Sequence, residues 1–242
     1  NDYGDGVKGT DANRIGEKRL VAAGIITAEQ MKKAVIITAI FTFIIALLLI
    51  YVAFGKENFA LSLIFILLGI GSIGAAIKYT VGKSAYGYSG FGDLFVFIFF
   101  GLVSVIGSNF LFTHFIDWKL FLPASAIGLL SVAVLNLNNM RDIENDKIAR
   151  KNTLVVKFGL KFGLWYQRVL IFLPIILLIV FQLTISFKFS IISAYLIGYG
   201  FVHNTTISRI KEPKNFDPEL KKIALFTFFY CIFIGIKLIS LK

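Results

Sequence analysis

Seven runs of apolar residues, each near the length of a membrane-crossing helix, decide what this chain can become. They lie at about 34–54, 59–77, 94–112, 120–138, 163–185, 189–208 and 223–241 of 242 residues. Roughly 20 consecutive apolar residues cross the hydrocarbon core of a bilayer as helix. Charged residues make up 16% of the chain, against about 25% in an ordinary soluble domain. Mean hydropathy is +0.80. No run shows the wide polar face that a soluble helix turns to water. The gaps between runs are short, so residues 1–242 read as a single integral membrane domain. The expected class is all-α, a polytopic transmembrane helix bundle with about seven spans.

Lys and Arg outnumber Asp and Glu by 25 to 14, for a net charge of +11. Their distribution matters more than their sum. Segments 1–33, 78–93, 139–168 and 209–222 hold 20 of the 25 cations, alternating with cation-poor segments. That is the positive-inside pattern, which predicts that these four segments face the cytoplasm and that the C-terminus lies outside. Topology thus accounts for most of the basic excess, leaving some for an anionic ligand or lipid headgroups. A nucleic-acid partner is not expected. The lone cysteine, Cys231, lies inside the last run and can form no internal disulfide.

Two acidic stretches interrupt this apolar chain. The first is NDYGDGVKGTD at residues 1–11, with Asn1, Asp2, Asp5 and Asp11 among glycines. The second is NNMRDIENDKIARKNTLVV at 138–156, with Asp142 and Asp146 four apart. Spacings of three and four place carboxylates on one face of a helical turn, and the glycines allow a close-approach loop. Carboxylates without His or Cys suit hard cations. Mg²⁺ takes one or two of them and completes its shell with water and phosphate oxygens. Two such sites would grip a diphosphate from both ends, with Lys8, Arg14, Lys83, Arg141, Arg150 and Lys151 balancing the remaining charge. The plain alternative is a solvated loop in which Asp142 and Asp146 pair with Arg141, Lys147 and Arg150. Other phosphate-binding and hydrolytic signatures are missing: no G-x-x-x-x-G-K-[ST] loop, no dinucleotide fingerprint and no H-E-x-x-H helix.

At these residues the sequence resembles the UbiA superfamily of intramembrane prenyltransferases, and within it the 1,4-dihydroxy-2-naphthoate prenyltransferase branch of menaquinone biosynthesis. Three details carry the branch: Asp11 in a G-x-D setting after Gly9, the continuation KNTLVVKFG after the second motif, and the stretch YTVGKSAYGYSGFGDLFVFIFFG with Tyr79 and Lys83 in Y-x-x-x-K spacing. The resemblance implies two Mg²⁺ ions, one on Asn1, Asp2 and Asp5, with Asp11 as a further candidate, and one on Asp142 and Asp146. Lys83 and Arg141 would bind the diphosphate, with Tyr79, Asn138 or Asn139, and Lys151 contributing. It also implies transfer of a polyprenyl group from a polyprenyl diphosphate to 1,4-dihydroxy-2-naphthoate, with loss of CO₂ and diphosphate, giving demethylmenaquinone. The expected location is the bacterial cytoplasmic membrane.

The family has nine spans, with the aspartate motifs after the second and the sixth. Here the motifs precede the first run and follow the fourth. That offset reads as helices three to nine, the first two being largely missing. Two rivals stand beside this reading. One keeps the fold and changes the acceptor to 4-hydroxybenzoate, homogentisate, heme or a lipid. The other is a cation or phosphate transporter, which the membrane-edge position of the acids disfavours. Four further features have plain readings. Gly69, Gly71 and Gly74 are expected on a helix-packing surface, and Gln182 is expected in an interhelical hydrogen bond. His203 is either packed in the bundle or lines the acceptor pocket. Asp93 either caps its helix or helps to close the site.

Overall fold

The computed structural model describes residues 1–10, 18–82, 85–186 and 191–240, and every apolar run in it is helical. No strand occurs among the described residues. In chain order the α-helices are α1 Asp2–Lys8, α2 Ala28–Phe54, α3 Phe59–Thr80, α4 Gly92–Val96 and α5 Ser108–Thr113. A π-helix, Phe97–Gly107, joins α4 to α5. Then come α6 Phe121–Arg141, α7 Ile143–Ile148, α8 Leu154–Phe158, α9 Leu160–Ser186, α10 Ile191–Arg209 and α11 Asp217–Ser240. Among the described residues five stretches are long and apolar enough to cross a membrane: Ala28–Phe54, Phe59–Thr80, Gly92–Thr113, Trp118–Arg141 and Leu160–Ile185. The last two predicted runs are filled by α10 and α11, which carry more polar residues, among them His203, Asn204, Glu219 and Lys222.

Local chemistry explains where the boundaries moved. The apolar run begins near residue 34, yet α2 starts at Ala28 because Thr27 and Gln30 form a capping box. The Gln30 backbone N–H donates to Thr27 Oγ1, and the Thr27 N–H donates to Gln30 Oε1 at 2.9 Å. Two of the helix's unpaired amides are satisfied in this way. The first acidic stretch forms the short helix α1, on which Asp2 and Asp5 share a turn as their spacing implied. Gly9 closes it at φ 74°, a left-handed conformation that suits a residue without Cβ. The expected single turn bearing both Asp142 and Asp146 is interrupted. Asp142 stands between α6 and α7 with ψ near 10°, and only Asp146 lies within α7.

The described residues form two compact units. The first comprises Asn1–Gly92, Gly107–Ile116 and Glu144–Thr153. Within it α2 packs on α3, and Phe54, Phe65, Phe110 and His114 form an aromatic cluster with centroids 5.1 to 6.2 Å apart. Otherwise these two helices leave most of their apolar side chains exposed, and only Ile50, Phe54 and Thr80 are buried. The expected packing role of Gly69, Gly71 and Gly74 does not hold. A Cβ at any of them would meet nothing within 4 Å.

The second unit comprises Asp93–Ile106, Asp117–Ile143 and Leu154–Lys242, built around α6. Leu130, Ala133, Leu137 and Met140 of α6 are fully buried against α9 and α11. Here the packing glycines are real. A Cβ on Gly101 would lie 2.7 Å from the Gly128 Cα, and one on Gly128 would lie 2.7 Å from the Phe97 carbonyl oxygen. Small residues at such a crossing let two backbones approach, which is how helices associate where lipid is as apolar as the side chains.

Candidate active site

In the first unit the short helix α1 is pressed against its neighbours by its glycines. A Cβ on Gly4 would clash with Thr80 Oγ1 at 2.3 Å, and one on Gly6 with Val21 Cγ1 at 2.7 Å. This seating directs the two carboxylates. Asp2 accepts the backbone N–H groups of Leu20 and Val21 at 3.1 and 3.2 Å. Asp5, only 4% exposed, accepts the Tyr88 hydroxyl at 2.7 Å. Because the Tyr88 proton goes to Asp5, the 2.6 Å contact between Thr10 Oγ1 and the Tyr88 oxygen has Thr10 as donor.

The segment 144–153 of the second motif joins the same network. Asn145 Nδ2 donates to the Thr10 carbonyl at 2.6 Å, and the Asn152 N–H donates to the Tyr88 carbonyl at 2.9 Å. Asp146, 1% exposed, lies 3.6 Å from Lys151 Nζ. Lys8 Nζ and Lys151 Nζ stand 4.1 and 5.8 Å from the centroid of the Tyr88 ring. Asp2, Asp5, Asp146, Lys8 and Lys151 all belong to this unit, whereas Arg141 and Asp142 belong to the other. Tyr79 supports the loop by ring contact with Tyr86 and by its carbonyl, which leaves no room for a Cβ at Gly87. Tyr86 donates its hydroxyl to the Ala75 carbonyl at 2.8 Å, and burial raises its pKa. Asp11, Arg14 and Lys83 lie outside the described residues.

The second unit holds the other half of the motif. Arg141, 4% exposed, donates Nε and Nη2 to the two oxygens of Asp142, both at 2.7 Å. Its Nη2 also reaches Asn138 Oδ1 at 2.6 Å, and its Nη1 pairs with Asp217 at the start of α11. A guanidinium presents this fork rigidly and holds charge even when buried. Asp217 escaped the sequence reading because it sits in a Pro- and Lys-rich turn with no motif. Asn139 is buried, and its Oδ1 has no hydrogen-bond partner among the described residues.

Behind this cluster runs a buried polar chain. Asn136 Nδ2 donates to Gln167 Oε1 at 2.8 Å, and Gln167 Nε2 meets His203 Nε2 at 3.3 Å. His203 Nδ1 meets Glu219 Oε2 at 2.8 Å, and Lys222 donates to Glu219 Oε1 at 2.6 Å. With Gln167 Oε1 already accepting, its amide donates to Nε2, which assigns the His203 proton to Nδ1 and points it at Glu219. Both ring nitrogens are thus engaged within the bundle, in line with the packed reading of His203. Gln182 accepts from Ser193 at 2.9 Å, the interhelical bond expected of it. Asp93 is buried beside Tyr166.

The donors offered by the motifs are all oxygens, the set a hard cation prefers. Among the described residues no three His, Cys, Asp or Glu side chains cluster as a metal site.

The chain matches the UbiA prenyltransferase family over residues 1–232. It belongs to that family. The 1,4-dihydroxy-2-naphthoate octaprenyltransferase of Escherichia coli (strain K12) is 50% identical over 160 residues, 66% of this chain and 51% of that protein. The protein of the same name from Haemophilus influenzae (strain ATCC 51907 / DSM 11121 / KW20 / Rd) is 46% identical over 172 residues, 71% of this chain and 55% of its own. That from Mycobacterium tuberculosis (strain ATCC 25618 / H37Rv) is 38% identical over 159 residues, 66% and 52% respectively. The chain thus spans about half the length of these relatives. No solved structure matches it. The helical membrane architecture, the acidic motifs and the family agree on a multi-pass membrane protein.

Proposed function

We propose that this protein transfers a polyprenyl group from a polyprenyl diphosphate to 1,4-dihydroxy-2-naphthoate, releasing diphosphate and CO₂ and giving demethylmenaquinone. The observation that carries this reading is the 46–50% identity to two relatives named for that acceptor. The chemistry of the described residues supports it. Lys151 brings an ammonium group beside Asp146, and Lys8 brings another to the ring of Tyr88, whose hydroxyl holds Asp5. Such a mixture of charges suits a polyanion that arrives with cations. We assign Mg²⁺ ligation to Asn1, Asp2 and Asp5 of the first motif and to Asp142 and Asp146 of the second. When bound, Mg²⁺ supplies the positive charge that stabilises a departing diphosphate.

The remaining work falls to the chain itself. Lys8 and Lys151 contribute fixed positive charge where negative charge develops on the leaving group. The apolar helices offer a prenyl tail an environment from which water is excluded, which protects an electrophilic carbon. On the charge distribution, we place the protein in the bacterial cytoplasmic membrane with both motifs facing the cytoplasm and the C-terminus outside. Membranes containing the protein, given a polyprenyl diphosphate and each aromatic acceptor in turn, test the reading. Prenylated product is expected from 1,4-dihydroxy-2-naphthoate, and EDTA is expected to abolish it. Product from 4-hydroxybenzoate alone would overturn the acceptor.

A further inference from the structure

Tyr88 makes more connections to the acidic motifs than any residue the sequence singled out. Its hydroxyl donates to Asp5 and accepts from Thr10, and its carbonyl accepts the Asn152 N–H. Its ring carries Lys8 on one contact and Lys151 on another. One side chain thereby sets the orientation of a carboxylate in α1 and seats two ammonium groups, one from each motif. The backbone bond to Asn152 and the Asn145 bond to Thr10 fix the segment 144–153 against the same tyrosine and threonine. The neighbouring Tyr86 tethers the same loop separately, by donating to Ala75 in α3.

We propose that Tyr88 is a positioning residue for diphosphate and metal binding, acting on Asp5 through its hydroxyl and on Lys8 and Lys151 through its ring. The inference rests on the diphosphate reading given above, and it divides into two separable parts. A hydroxyl that orients a metal-binding carboxylate should govern metal affinity, since such outer partners typically account for about 10- to 100-fold. A ring that seats two cations should govern affinity for the polyanion, because the aromatic face attracts ammonium groups. Tyr88→Phe removes the first contribution and keeps the second, whereas Tyr88→Leu removes both. Tyr86→Phe is the control from the same loop, a half-buried tyrosine whose hydroxyl donates to Ala75.

The experiment uses the protein purified in detergent, with Mn²⁺ binding followed by electron paramagnetic resonance and inorganic diphosphate binding by calorimetry at saturating Mn²⁺. Tyr88→Phe is expected to weaken Mn²⁺ binding about 10-fold and to leave diphosphate affinity within about twofold of the parent. Tyr88→Leu is expected to weaken both, and Tyr86→Phe neither. Parent-like Mn²⁺ binding in Tyr88→Phe overturns the proposal while leaving the diphosphate reading intact. Equal losses in Tyr88→Phe and Tyr86→Phe also overturn it, because the effect is then one of loop packing. If the parent protein binds neither Mn²⁺ nor diphosphate, the diphosphate reading itself fails and the role of Tyr88 falls with it.

Discussion

Two helices of comparable apolar character, α3 and α6, meet opposite fates in this molecule. In the central window of α3 no residue is buried by protein, whereas half of the corresponding window of α6 is. Both carry small residues: Gly69, Gly71 and Gly74 in one, Ala124, Ala126 and Gly128 in the other. Hydropathy therefore says only that each helix avoids water, and lipid satisfies that as well as protein does. What separates them is partnership. On α6 Gly128 admits the Phe97 and Gly101 backbones, Ala124 and Ala126 are buried, and the polar residues Asn136, Asn139 and Arg141 are buried too. On α3 the glycines open onto space.

The largest test of this contrast concerns charge rather than packing. Asp146→Ala in the first unit and Asp142→Ala in the second should each lower turnover about 10²- to 10³-fold, roughly 3–4 kcal/mol, in a prenyl-transfer assay. Only Asp142→Ala should also lower the melting temperature markedly, since buried Arg141 then loses its two-pronged partner. Equal stability of the two variants would break the distinction between the sparsely and the densely packed unit.

Packing comes next. Gly128→Val places atoms where the Phe97 carbonyl already sits and should cost about 1–3 kcal/mol, read as a lowered midpoint in thermal unfolding. Glu219→Leu should cost a similar amount, about 1–3 kcal/mol, because the His203 N–H and the Lys222 ammonium lose their acceptor. Asp217→Asn is a smaller change. Its side chain is 43% exposed and Arg141 keeps Asp142, so solvent screening holds the loss below about 1 kcal/mol. Smallest of all, Gly71→Ala on α3 should leave the midpoint unchanged or slightly raised, within about 0.5 kcal/mol. A large loss there would show that α3 has a partner after all.

Part of the site was legible because its chemistry is local. Asp2, Asp5, Asp142 and Asp146 stand in short acidic stretches of an apolar chain, and that contrast alone marks them. Tyr88 and Asp217 were not legible, for different reasons. Tyr88 lies among several tyrosines and glycines of one loop, and nothing in the order of letters says which hydroxyl reaches Asp5. Asp217 is 76 residues from the arginine it pairs with. The glycines of α3 misled because spacing shows that a backbone could approach, not that one does.

The sequence by itself determined the solvent, the helical class and the oxygen-only character of the candidate ligands. Each follows from composition within a span of twenty residues or fewer, where transfer from water and backbone hydrogen bonding act without reference to the rest of the chain. The tertiary structure alone decided which apolar helices would be covered and which carboxylates would be held by Tyr88 or Arg141. It also decided that His203 would be tied into a buried chain. Those outcomes depend on contacts between residues far apart in sequence. In a chain so uniformly apolar, shape complementarity and paired polar groups make such choices, because hydrophobicity favours every helix face alike.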